Sequence, residues 1–194
     1  MSDDRQQILA LDVPAADAEA RAAELRQWLR DRRFAVPHPD AIDPAPPNHE
    51  TRTEAVPADL LGPGFAAMPY GSDRPGHNPL WSFIYVQTPA NPDNHIWYLG
   101  DSTGPSDCRY CGTAFPHDPF WEAFNLWLEG PEPSLTCSNC GKTALMGDQD
   151  TSGSIVVSPL AIVTSGDGWD LVPELLGALR THFGGRWTWV SYHP

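Results

Sequence analysis

At 194 residues the chain suits one domain, or one domain with an insertion, and its 41% hydrophobic content with eight tryptophans is enough to fill a core. The formal charge of −13 argues against a nucleic-acid partner, which asks for a basic patch to neutralise phosphates. No apolar run approaches the length of a membrane span, and residues 1–20 lack the basic start and continuous apolar stretch of a secretory signal, so a cytoplasmic protein is expected.

In chain order, Ile8 to Val13 reads as a short strand, and Pro14 opens a helix reaching about Arg33. Ala18, Ala22, Leu25 and Leu29 recur at helical spacing with Trp28 beside them, the stripe of a helix that covers a sheet. Asp17 is placed to pair with Arg21 at i,i+4. Residues 35–80 then hold ten prolines, which predicts a long irregular connection with short elements at most. Loops of that length in compact domains are more often functional than merely structural, and a lid is one reading of this one. His38, His49 and His77 fall within it but follow no metal or catalytic spacing, and they read as surface residues.

Leu80 to Val86 and His95 to Leu99 are aromatic and β-branched, joined by the turn-rich Pro89 to Asn94, and predict a hairpin. Trp81, Phe83 and Tyr85 alternate onto one face, which is expected to point into the core. Asp101 to Asp107 is a polar turn without calcium-loop spacing.

All four cysteines lie in the next stretch, as Cys108-Arg109-Tyr110-Cys111-Gly112 and Cys137-Ser138-Asn139-Cys140-Gly141. Two cysteines separated by two residues turn both sulfurs toward one ion, and a second pair completes a closed tetrahedral shell, so the pattern predicts structural Zn²⁺ on Cys108, Cys111, Cys137 and Cys140. A glycine after each second cysteine suits the tight turn that frees backbone N–H groups toward sulfur. Arg109 and Lys142 sit beside the ligands, where they would offset the two net negative charges of a zinc tetrathiolate. Two disulfides, a redox dithiol or an iron centre would use the same cysteines; the first asks for an oxidising compartment, and the second normally uses a single pair. The two motifs resemble the knuckles of rubredoxin-like zinc ribbons over residues 108–142. The wider order of strand, helix, two knuckles and a closing Gly-Gly-Arg-Trp-Thr-Trp-Val strand resembles a group of actinobacterial zinc-ribbon proteins. That resemblance implies a metal-bound scaffold and no particular reaction.

Between the knuckles, Asp118 and Pro119 suit an N-cap and a first helical position, and Phe120, Trp121, Phe124, Trp127 and Leu128 follow at helical spacing up to Gly130 and Pro131. A ribbon usually joins its knuckles by hairpins, so this helix departs from the pattern. Phe120, Trp121, Phe124 and Trp127 must either dock on the main sheet or form a patch for a protein partner. After the ribbon, Ser154 to Val163 reads as a strand interrupted near Pro159, which points to a sheet edge or a bulge. Asp167 or Asp170 can cap a helix over Leu171 to Phe183, with Leu171, Leu175, Leu179 and Phe183 as its stripe, and Arg186 to Tyr192 forms a closing strand.

The fold expected is α+β: a mixed sheet of about five strands with two covering helices, ferredoxin-like in topology, and an inserted zinc ribbon. Residues 1–100 form the first part of the core with the connection at 35–80. Residues 101–150 form the ribbon with its aromatic helix, and residues 151–194 complete the core with a strand, a helix and a strand. The function expected is a zinc-stabilised module that binds another protein, with neither nucleic acid nor membrane as partner. The alternative is a small-ligand binder or enzyme with 35–80 as lid, although no nucleophile elbow, phosphate-cradling loop or open metal shell is present.

Overall fold

The computed structural model describes residues 5–43, 56–65, 83–88, 96–98, 103–165 and 171–192. His49, His77, Met68, Tyr70, Trp81, the turn at 89–94, Asp167 and Asp170 lie outside them, as does most of the supposed lid. The elements in order are β1 (Arg5–Ala10), α1 (Ala18–Asp31), β2 (Ala35–Asp43), β3 (Val56–Leu61), β4 (Phe83–Gln87), β5 (Ile96–Tyr98), α2 (His117–Glu129), β6 (Ser134–Thr136), β7 (Thr143–Leu145), β8 (Ile155–Val157), β9 (Ala161–Ser165), α3 (Val172–Phe183) and β10 (Trp187–Tyr192).

Six strands form the main sheet in the order β10-β1-β9-β4-β3-β2, and β5-β8 and β6-β7 form two small sheets. The fold class is α+β. Every neighbouring pair in the main sheet is antiparallel, where the sequence suggests a mixed sheet. The reason is that β1 enters between β9 and β10: these two run in the same direction across α3, as a crossover requires, but never pair with each other. This is a split β-α-β unit, and β10-β1-β9-β4 under α1 and α3 has the strand order of a ferredoxin-like fold, extended at one edge by β3 and β2.

The alternation of side chains along each strand feeds two cores. Ile8 and Ala10 of β1, Ile84 and Val86 of β4, and Ile162 of β9 point toward α1 and α3, where Ala22, Leu25, Trp28, Leu29, Leu175, Leu176 and Leu179 meet them. Leu9, Tyr85, Ala161, Val163 and Val190 point the other way, into a cluster with Phe115, Phe120, Phe124, Trp127, Leu135 and Met146. The main sheet is therefore covered by two helices on one face and by α2 with the cysteine knuckles on the other.

Several sequence expectations change. The first strand begins at Arg5 rather than Ile8, because β1 is paired on both sides and carries Arg5, Gln6 and Gln7 into the interior. The connection after α1 contains β2 and β3; the prolines are tolerated since β2 is the outer strand, with its register shifting between Pro37 and Ile42. β4 and β5 are not a hairpin: β4 lies between β3 and β9, and β5 pairs with β8. Pro159 marks neither an edge nor a bulge but the gap between β8 and β9, which belong to different sheets. Arg21 pairs with Glu24 at 2.8 Å instead of with Asp17. Asp118 lies in the first turn of α2, bonded to the His117 ring at 3.0 Å, and leaves the N-cap to Pro116.

The turn from α1 into β2 is unusually constrained. Arg33 adopts φ 61°, left-handed backbone for a residue with a side chain, and the Gly64 N–H donates to its carbonyl at 2.8 Å. A Cβ on Gly64 would lie 2.2 Å from the Arg32 carbonyl oxygen, so the 62–65 segment seats against the turn only as glycine. Gly64→Ala is expected to destabilise the fold by roughly 2 to 4 kcal/mol, since backbone rather than a movable side chain blocks the methyl group. Urea unfolding of both proteins measures it, and a loss below about 1 kcal/mol would mean that this segment has room to shift.

Candidate metal centre

The two knuckles are built alike. In the first, the Gly112 N–H donates to the Cys108 carbonyl at 2.8 Å and the Cys108 N–H to the Thr113 carbonyl at 2.9 Å; in the second, Gly141 donates to Cys137 at 2.8 Å and Cys137 to Lys142 at 2.9 Å. Gly112 and Gly141 stand at φ 68° and 71°, the left-handed region in which a Cβ is penalised, which is the reason for glycine after each second cysteine. The β6–β7 hairpin carries the second knuckle at its tip, and the first sits on bridges from Asp107 to Ala114 and Asp150.

The four sulfurs converge, all within 4.8 Å of one another. Cys108 and Cys140 are 3.7 Å apart, as are Cys111 and Cys137. Bonds of about 2.3 Å from one tetrahedral ion place sulfurs about 3.8 Å apart, so the quartet fits such an ion without rearrangement. An S–S bond of about 2.05 Å does not describe these contacts, and all four cysteines are free. Cys108 and Cys137, the first of each pair, are buried within the core shared with α2, whereas Cys111 is exposed and Cys140 half-buried.

Around the sulfurs lies a hydrogen-bonding layer that spacing alone does not reveal. Thr113 Oγ1 and Asn139 Nδ2 lie 3.4 and 3.6 Å from Cys111 Sγ and 3.1 Å from each other, so a residue of the second knuckle steadies a ligand of the first. Gln149, itself buried, accepts from the Arg109 N–H at 3.1 Å and donates to the Ala144 carbonyl at 3.3 Å, tying the knuckles together from behind. With protons rather than a cation among them, the sulfurs do not ionise alike. Hydrogen bonds from Thr113, then from Asn139, pull Cys111 down to about 6. At Cys140 the Lys142 amide favours the thiolate, but desolvation and the neighbouring sulfurs outweigh it and push the thiol up to about 11.

A second device clamps this unit to the sheet. The Arg186 guanidinium forks onto Glu132 at 2.6 and 2.9 Å and meets Asp148 at 2.9 Å, while its backbone N–H donates to Asp12 at 2.8 Å. Glu132 also accepts the Gly147 N–H. One arginine at the start of β10 thus joins the segment after α2, the turn after β7 and the segment after β1. Glu132 does most to strengthen its charged form, against the cost of burial, and Asp148 adds to it.

The aromatic residues of α2 divide in the structure. Phe120, Phe124 and Trp127 are buried against the sheet, and Trp121 is half-buried at the edge of the same cluster. The exposed aromatic near the four cysteines is Tyr110, with 48% of its surface open. Lys142 Nζ and Arg109 Cζ lie 4.7 and 5.7 Å from its ring centre, so the two cations expected to face the thiolates stack on this ring. Comparison with family models, with curated proteins and with solved structures finds no match to the chain.

Because a metal ion takes the place of the protons on sulfur, acid is expected to compete with it. Above about 6 Cys111 has no proton to lose, while Cys140 still has one; below about 6 both must be displaced, so apparent affinity should fall more steeply with acid there. Zinc titration against a chromophoric chelator, repeated between about pH 5 and pH 8, reads this slope. An affinity independent of pH would show that the thiolates are not the ligands.

Proposed function

We propose that the chain is a zinc protein in which a rubredoxin-like ribbon, closed by Cys108, Cys111, Cys137 and Cys140, serves as structure, and that its knuckle tip is the surface read by a protein partner. The observation that carries the first half is the place of the two inner sulfurs. Cys108 and Cys137 lie in the same apolar cluster as Phe120, Phe124, Trp127 and the sheet residues Leu9, Val163 and Val190. Four thiolates leave a tetrahedral ion no position for water or substrate, which is the condition of a structural site. Free thiols at metal spacing fit a reducing compartment, and a cytoplasmic protein is the reading we adopt.

Three features of the tip support the second half. Tyr110 is exposed, it is flanked by Arg109 and by Lys142, the chain's single lysine, and it stands on a turn held rigid by the metal. Tyrosine and arginine on a rigid base are what protein interfaces favour at their centres. In a chain of charge −13 this small cationic tip selects a carboxylate-bearing protein surface over nucleic acid, whose phosphates the remaining surface repels. The interaction thus lies on the knuckle tip rather than on the buried aromatic face of α2.

Two measurements test the reading. Native protein should carry one zinc per chain by elemental analysis, and Cys108→Ser should unfold earlier in a single transition seen alike by tryptophan fluorescence and far-UV circular dichroism. Displacing even two buried aromatics removes about 3 to 6 kcal/mol from a total of about 5 to 15 kcal/mol. A main transition unchanged by Cys108→Ser would refute a structural role for the metal. For the partner, immobilised Tyr110→Ala and Lys142→Glu should both fail to capture the same proteins that immobilised wild type captures; identical capture by all three would remove the tip from consideration.

A further inference from the structure

On the helix-covered side of the sheet, away from the cysteines, the end of α1 and the middle of α3 part to leave an open groove of about 300 Å³. That is the lower end of the range for small-molecule sites. Its floor is aromatic. Trp28 packs on Phe34 with ring centres 5.4 Å apart, Phe34 is backed by Phe65 at 4.6 Å, and the His182 ring stacks on Trp28 at 5.5 Å with planes 24° apart.

Four observations single this groove out. The indole nitrogen of Trp28 is buried without an acceptor among the described residues, one of several buried polar atoms left unmatched there. Arg32, at the rim, is exposed and has no carboxylate partner among the described residues. The backbone that aims Arg32 is the left-handed turn at Arg33, braced by Gly64, and strained backbone held this firmly is characteristic of ligand-binding turns. Finally, Gly177 lies within α3, where glycine costs roughly 1 kcal/mol relative to alanine. A Cβ there would meet nothing within 4 Å, so packing does not require the glycine; its effect is to keep the groove open.

We propose that this groove binds a small planar aromatic carboxylate, its ring laid on Trp28 and His182 and its carboxylate taken by the Arg32 fork. An aromatic floor asks for a flat apolar body, and a lone guanidinium at the rim matches a carboxylate through two parallel hydrogen bonds. The groove lies on the opposite face of the sheet from the knuckle tip and stands independently of the protein-binding reading.

The test uses the full zinc-loaded chain labelled with ¹⁵N at the tryptophan indoles, with the Trp28 resonance assigned through Trp28→Phe. The probes are 1-naphthoate and its neutral counterpart 1-naphthamide. The expected result is a saturable shift of the Trp28 resonance with naphthoate, weakened about tenfold by Arg32→Gln and about tenfold for the amide. Gly177→Leu should abolish the shift by filling the groove while keeping the unfolding midpoint at or above that of wild type, and Gly177→Ala provides a milder fill if leucine disturbs α3. The proposal is overturned if no saturable shift occurs, if the shift falls on other indoles, or if Arg32→Gln and both Gly177 variants bind as wild type does.

Discussion

One face of the main sheet is covered only because Phe120, Phe124 and Trp127 are buried in the same layer as the sulfurs of Cys108 and Cys137. A helix of 13 residues with a strong apolar stripe has little stability alone and needs a surface to close on. The sheet supplies one side of that surface through Leu9, Tyr85, Val163 and Val190. The knuckles supply the rest, and they have four converging sulfurs rather than a large apolar interior of their own. On the proposed reading a bound metal does for this face what α1 and α3 do for the other, and Arg186 fastens the edge where the two layers meet with a partly shielded fork onto Glu132.

The clustering of the four cysteines was legible because its information is local. Two residues between cysteines and a glycine after each pair fully determine a knuckle, and the matched hydrogen bonds of the two copies follow from that spacing. The helical stripes of α1, α2 and α3 were legible for the same reason, since period alone reveals them. Pairing between strands was not. β2 and β3 lie in a stretch that reads as loop because proline usually breaks a ladder; the prolines of β2 are harmless because that strand is outermost, and Pro57 of β3 lies outside the register that β3 shares with β4. Arg5, Gln6 and Gln7 carry no strand signal; they are drawn inside by neighbours more than 150 residues away in sequence, with Gln6 bonded to Ser191 at 3.0 Å. Asn139, Gln149 and Arg186 act across distant segments, and a spacing rule does not pick them out.

The two faces also differ in the chemistry they offer the outside. The ribbon side ends in a rigid tip carrying one aromatic ring between two cations, a shape suited to a surface. The helix side opens into a groove floored by rings and rimmed by Arg32, a shape suited to a small body. Between them lies the main sheet, whose strands feed alternate residues to each side, as Ile8 and Leu9 do from consecutive positions.

The position of β1 has a consequence for how the chain is assembled. β1 is made first but pairs with β9 and β10, and the bond from Gln6 to Ser191 spans 185 residues. During synthesis this strand waits with neither neighbour until residues 161–192 have left the ribosome, and closure of so distant a contact is slow. The knuckles, by contrast, are complete by Gly141 and can take up their ion while β9 and β10 are still unmade. From then until Val190 arrives, α2 holds its apolar face over a sheet that still lacks β9 and β10. That interval is when the nascent chain is most open to aggregation, and it is when a chaperone would find something to hold.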